Sequence, residues 1–137
     1  MKPLACCLTV LLAACARPAA PIEAPAASIR CELVGIDPSG DDETATATFR
    51  FTNDTGSALA YEGYSEDMPL YQSEVESAPG VWEANLVGWC GTGLATYTLA
   101  PGATLRFSVP VPRDGKRYRF LLGDLSVATP PVSAAPR

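Results

Sequence analysis

Alternation with a period of two dominates the middle of the chain. From Thr44 to Thr52, Ala45, Ala47, Phe49 and Phe51 hold one set of alternate positions, and Thr44, Thr46, Thr48, Arg50 and Thr52 hold the other. That pattern predicts a strand buried on one face. Leu105, Phe107, Val109 and Val111 alternate with Thr104, Arg106, Ser108 and Pro110, and Tyr118, Phe120 and Leu122 alternate with Arg117, Arg119 and Leu121. These runs predict two more strands. Asp114-Gly115 lies between them and supplies residues that tolerate positive φ, so a tight hairpin is expected there.

Other turn signals punctuate the remaining runs. Ala100-Pro101-Gly102-Ala103 has Pro and Gly where a type II turn needs them and joins a strand around Tyr97 and Leu99 to the Leu105 run. Ala78-Pro79-Gly80-Val81 does the same between the Tyr71–Val75 region and Trp82–Val87, while Asn53–Ser57 turns the Thr44 run towards Leu59 and Tyr61. With Ile29–Ile36 added, about eight short strands follow one another with no helical period between them. This predicts an all-β fold, a small antiparallel sandwich of seven to eight strands over residues 29–128.

The ends lack this period. Lys2 is followed by an apolar stretch from Pro3 to Ala14, the charged start and short apolar core of an export signal. It is shorter than the roughly 20 apolar residues a membrane-spanning helix requires. Leu12-Ala13-Ala14-Cys15 closes the stretch and resembles the lipobox of bacterial lipoproteins. The resemblance implies removal of residues 1–14 and attachment of lipid to Cys15. It also implies two or three acyl chains, each buried methylene contributing about 0.8 kcal/mol, so anchoring is stable. Ala16 is not the aspartate that resembles an inner-membrane retention signal, which favours the outer membrane in a host with two membranes. Residues 15–28 are rich in Ala and Pro and read as a tether reaching about 40 Å at roughly 3.1 Å per residue. Residues 129–137 have the same character and read as a flexible tail.

The run from Phe49-Arg50-Phe51-Thr52-Asn53 to the Pro101-Gly102 turn and the Leu105 strand resembles small immunoglobulin-like domains of bacterial envelopes. The resemblance implies an immunoglobulin-like sandwich and no particular activity.

Charge and composition narrow the function. Ten Lys and Arg face fifteen Asp and Glu, which makes nucleic acid a poor partner. Acidic residues from Glu32 to Glu83 are interrupted only by Arg50, whereas Arg106, Arg113, Lys116, Arg117 and Arg119 crowd the last third, which suggests one acidic and one basic face. Histidine is absent, which removes Ser-His-Asp and Cys-His catalysis from a single chain. Cys31 and Cys90 are the cysteines that remain after Cys15 is lipidated and Cys6 and Cys7 are removed. In an oxidising compartment they read as one disulfide.

Four groups of residues merit attention as sites. Gly88-Trp89-Cys90-Gly91-Thr92-Gly93-Leu94 sets an indole beside a cysteine in a glycine-rich turn, but it lacks the second cysteine of a redox pair and the Lys-Ser or Lys-Thr of a phosphate loop. A disulfide-pinned loop is its structural use. Asp37-Pro38-Ser39-Gly40-Asp41-Asp42-Glu43 gathers oxygen ligands, though not at EF-hand spacing, and reads first as a solvated turn. Tyr61, Tyr64, Tyr71, Trp82, Trp89 and Tyr97 supply either core rings or a binding platform, with Tyr61, Tyr64, Tyr71, Trp82 and Trp89 as the candidate contacts. Glu62, Glu66, Asp67, Glu74 and Glu76 offer carboxylates for hydrolysis, with no spacing that brings a pair together. No catalytic constellation, cofactor or metal site is predicted. The sequence points to an anchored, non-catalytic module that binds an envelope or extracellular protein or glycan. The alternative is inhibition of a secreted or periplasmic hydrolase through the Gly88–Leu94 loop.

Overall fold

The structure is a computed structural model that describes residues 28–85, 88, 91–125 and 127–136. The leader, Cys15, most of the tether, Trp89 and Cys90 lie outside the described residues. Among the described residues there are ten strands and one 3₁₀ turn, Gly123–Leu125, and no α-helix. The strands are β1 (Ile29–Asp37), β2 (Thr44–Asn53), β3 (Leu59–Ser65), β4 (Met68–Pro69), β5 (Gln72–Ala78), β6 (Val81–Asn85), β7 (Ala95–Leu99), β8 (Thr104–Pro112), β9 (Tyr118–Leu122) and β10 (Val127–Ala128). They form three antiparallel sheets, ordered β1-β2-β8, β10-β9-β5-β6 and β4-β3-β7. The fold is an all-β antiparallel sandwich, with two or three more short strands than the alternation predicts.

The predicted faces hold. Ala45, Ala47, Phe49 and Phe51 of β2 and Leu105, Phe107, Val109 and Val111 of β8 are all buried, and the register sets Phe49 opposite Phe107. From the second sheet, Tyr118, Phe120 and Leu122 close on them. Phe49 lies 5.7 Å from Phe107 and 5.9 Å from Phe120, and Tyr71 meets Phe120 edge-on at 5.4 Å. Offset and edge-to-face rings add to plain area burial, so this cluster is where the two layers are joined.

Connections differ from the expected ones. Asp114-Gly115 does not close a hairpin: β8 pairs with β2, and β9 pairs with β5 and β10. Pro110 and Pro112 alternate on β8 and remove donors from one of its edges, which suits the strand to the rim of a sheet. Arg113 then turns the chain away, donating from its guanidinium to the Thr44 carbonyl at 3.1 Å and the Pro38 carbonyl at 2.6 Å. The Pro101-Gly102 turn forms, with Gly102 at φ 74 and the Ala103 N–H donating to the Ala100 carbonyl at 3.0 Å, but it links strands of different sheets. Asn53 governs the other crossing. Fully buried, it donates to the carbonyls of Ser57 and Leu99 at 2.8 and 2.9 Å and accepts from the Thr55 N–H at 3.0 Å. This Asx turn sends β3 to another sheet and fastens β7 to the end of β2.

The carboxyl end is also packed where the sequence predicts a free tail. Val132 and Ala134 are buried, and Val132 exchanges two backbone hydrogen bonds with Tyr118 at 2.7 and 2.8 Å. Thr129 accepts from the Phe120 N–H through its hydroxyl at 3.0 Å. A short run of Ala and Pro still satisfies the donors and covers the rings of a strand beside it.

Candidate functional site

Alternation on β5 and β9 builds the most organised outward-facing surface among the described residues. Ser73, Tyr118 and Phe120 face inward, so Glu74 and Glu76 on β5 and Arg117 and Arg119 around β9 face outward. The register places Glu74 beside Arg119 and, on the other side, Glu76 beside Trp82 of β6. Arg119 is paired with Glu74, and Arg117 with Glu76 at 2.7 Å. The second Glu76 oxygen accepts the Gly80 N–H at 2.8 Å and so holds the β5–β6 turn. Above these pairs lies the Trp82 ring, with the Arg119 guanidinium 4.5 Å and that of Arg117 6.0 Å from its centre.

Each contact is weak alone. A cation over an indole at a surface contributes about 0.5–1 kcal/mol, and an exposed ion pair about 0–1 kcal/mol. Together they hold a tryptophan and two arginines in one arrangement before any partner arrives. Trp and Arg are also the residue types on which binding energy concentrates, and side chains already ordered lose less entropy on docking. The face carries two acids and two bases, so the acidic and basic halves of the sequence meet here as neighbours on adjacent strands, not as separate faces.

The other candidates do not gather around it. Tyr61 and Tyr71 are buried and serve the core. The Tyr61 hydroxyl donates to the Glu66 carbonyl at 2.7 Å, and its ring lies 5.7 Å from that of Tyr97. Burial pushes both phenols above their ordinary value. Tyr64 is half-buried, at the end of β3. Of the five aromatic contacts expected, Trp82 therefore occupies the outer face described here, and Trp89 lies outside the described residues.

The five carboxylates are dispersed. Glu74 and Glu76 are taken by arginines, and Asp67 accepts from the Ser65 hydroxyl at 2.6 Å in the β3–β4 turn. Glu62 lines a small cleft with Asp124, Leu70, Tyr71, Gln72 and Leu121, about 200 Å³ in volume, where Asp124 accepts the Glu62 backbone N–H at 2.9 Å. In the Asp37–Glu43 turn, Asp41 accepts from the Thr44 hydroxyl and from the backbone of Glu43 and Thr44, and Asp37 accepts from Ser39. These donors hold both carboxyls below the usual range, led by the Thr44 hydroxyl at Asp41 and by Ser39 at Asp37. The oxygens are employed in forming the turn. Among the described residues no group of three or more His, Cys, Asp or Glu is placed to hold a metal ion.

Cys31 is a free thiol in this structure, half-buried on β1 and packed against the core. Burial, with Glu32 adding to it, pushes its ionisation up to about 12. Its expected partner Cys90 lies outside the described residues, as does much of the Gly88–Leu94 loop.

Sequence reasoning missed Arg117 and Arg119 as partners of Trp82. The signal was present in fragments: alternating Glu on one run, alternating Arg on another, and a Trp just after a turn. Only the register joins them. No family model, curated protein or solved structure matches the chain.

Proposed function

We propose that the chain is a lipid-anchored module of a bacterial cell envelope that works by binding another envelope or extracellular component. The observation that carries the anchoring is the order of segments: Lys2 and an apolar stretch, Leu12-Ala13-Ala14-Cys15, an Ala/Pro-rich spacer, and then a folded sandwich whose first strand begins at Ile29. With Ala16 after the cysteine, the outer membrane is the favoured site in a host with two membranes. Cys31 and Cys90 would be joined there as a disulfide, since such compartments are oxidising.

Binding is assigned to the Trp82 face, because it lies on the outer side of its sheet with Trp82 half-buried, is ordered by Arg117 and Arg119, and is rich in the groups that anchor interfaces. The partner class is a protein or glycan. Nucleic acid is disfavoured by the net negative charge.

Two measurements test the reading separately. Cells fed an alkynyl fatty acid should label the wild type and leave Cys15→Ser unlabelled and uncut; a Cys15→Ser chain that is still processed and still enters the detergent phase removes the anchor. Cross-linked membranes should yield a partner whose recovery falls about tenfold or more in Trp82→Ala and stays unchanged in Arg106→Ala. Equal recovery from all three removes the binding face.

A further inference from the structure

β1 is a rim strand, hydrogen-bonded to β2 on one side and to no described strand on the other, with β10 of the second sheet close by. It carries Leu33, Val34 and Ile36, 39%, 44% and 38% exposed, which are three of the five large apolar side chains that the described residues leave exposed. A bare strand edge with apolar side chains is a template for another strand. The order of its faces indicates which one.

Register with β2 sets Cys31 and Leu33 opposite Phe51 and Phe49, and Ile36 opposite Ala47, on the core side. Arg30, Glu32, Gly35 and Asp37 stand opposite Thr52, Arg50, Thr48 and Thr46 on the outer side. Val34 is the extra residue of a bulge between Leu33 and Gly35, so the alternation breaks there and restarts. The pattern of faces therefore reads the same from both ends about the Leu33–Val34 bond. An antiparallel strand centred on that bond meets outer with outer and core side with core side at Arg30 with Asp37, Cys31 with Ile36 and Glu32 with Gly35, and sets the bulged Val34 opposite Leu33 at the centre. Slipping the register by one residue in either direction mismatches every assigned pair, and slipping it by two sets Glu32 opposite Leu33 or, with like charges, opposite Asp37. The strand that fits is β1 itself.

We infer that β1 is a self-association edge, through which two copies of this chain pair antiparallel about a two-fold axis at Leu33–Val34. A two-fold makes each contact occur twice, so the matched register sets two Arg30–Asp37 pairs across the interface. Arg30 is available for this, since its contact with Asp54 within the chain is long, 3.6 Å, and solvent-exposed. Asp37 is exposed and takes both the backbone N–H, at 2.8 Å, and the side chain of Ser39, and the several lone-pair sites of a carboxylate still admit a guanidinium from outside. The Leu33, Val34 and Ile36 side chains of both copies then cover one another. The inference stands independently of how the chain is anchored.

Sedimentation equilibrium of the full chain in density-matched detergent at about 100 μM, which registers any dimer tighter than that dissociation constant, should give twice the monomer mass. Arg30→Glu and Asp37→Lys each put like charges opposite each other twice and should weaken the dimer about tenfold or more. The double variant restores opposite charges and should recover the wild-type mass, while Asp54→Ala should leave it unchanged. A monomer at about 100 μM overturns the inference; if exchange then shows the outer β1 amides protected, residues 16–27 of the same chain cover the edge instead. A dimer that ignores all the charge changes, or single losses that the double variant does not repair, also overturns it.

Discussion

Phe120 is 1% exposed and wedged between the rings of Phe49 and Tyr71, whereas Arg119 beside it points outward to Glu74 and Trp82. Phe120→Ala removes a large buried ring from the junction of the layers and should cost about 3–5 kcal/mol in a urea melt. Alternation alone sets Arg119→Ala within about 0.5 kcal/mol, the usual limit for a surface residue. The structure raises that expectation to about 1 kcal/mol, because truncation removes an ion pair and a cation–π contact together. A loss for Arg119→Ala as large as that for Phe120→Ala would mean that the outer face of β9 is covered. The burial of Phe120 was legible from its spacing to Tyr118 and Leu122. The partners of Arg119 were not, since Glu74 and Trp82 lie 45 and 37 residues away along the chain.

The β1–β2 connection shows how an element depends on its acids. Asp37 and Asp41 are held in their ionised form by donors of the turn, and Glu32 by Arg50 across the strands, so their folded ionisation lies below the unfolded one. For groups shifted in that direction, the stabilisation is fully present above the ordinary carboxylate value and is lost as pH falls through the folded value. The urea midpoint should thus stay level from neutrality to about pH 5 and decline below about pH 4. Asp41→Ala should lower the midpoint at neutral pH and flatten the decline. A parallel curve for the variant would show that Asp41 does not couple to folding. As a turn this segment was evident from its Asp, Pro, Ser and Gly content. The hairpin expected at Asp114-Gly115 was not formed, although both residues suit one, because Pro110 and Pro112 had already committed β8 to a rim position.

On the scale of the whole molecule, the carboxyl-terminal residues complete the second layer. Ending the chain after Ala128 would uncover Val132 and Ala134 and strip Tyr118 and Phe120 of hydrogen-bond partners. Burial of one valine is worth about 1.5–3 kcal/mol, and each lost hydrogen bond about 0.5–1.5 kcal/mol, so the truncation should destabilise by about 3–5 kcal/mol. Urea melts of the truncated and intact chains measure the difference. An unchanged midpoint would return these residues to the status of a free tail. The proposed Cys31–Cys90 bridge belongs to the same scale, since it would close a loop of nearly half the chain. Thiol counting on the denatured, unreduced protein should find neither cysteine reactive, and reduction should cost about 2–5 kcal/mol; two reactive thiols would leave Cys31 as the half-buried thiol seen here.

What the sequence determined by itself was local: where the chain is extended, which side of each strand is apolar, and where Pro-Gly and Asx chemistry bends it. Neighbouring residues suffice for this, because a strand alternates its faces whatever lies beside it. The pairing of strands is a different matter. Glu74 meets Arg119, Asn53 reaches Leu99, and Val132 joins Tyr118 only after distant segments have closed upon one another. Hydrophobic burial drives that closure and is non-directional, so alternation tells each strand which face to hide without telling it from which neighbour to take its hydrogen bonds. Tertiary structure therefore decided the sheet order, the fate of the tail and the assembly of the Trp82 face.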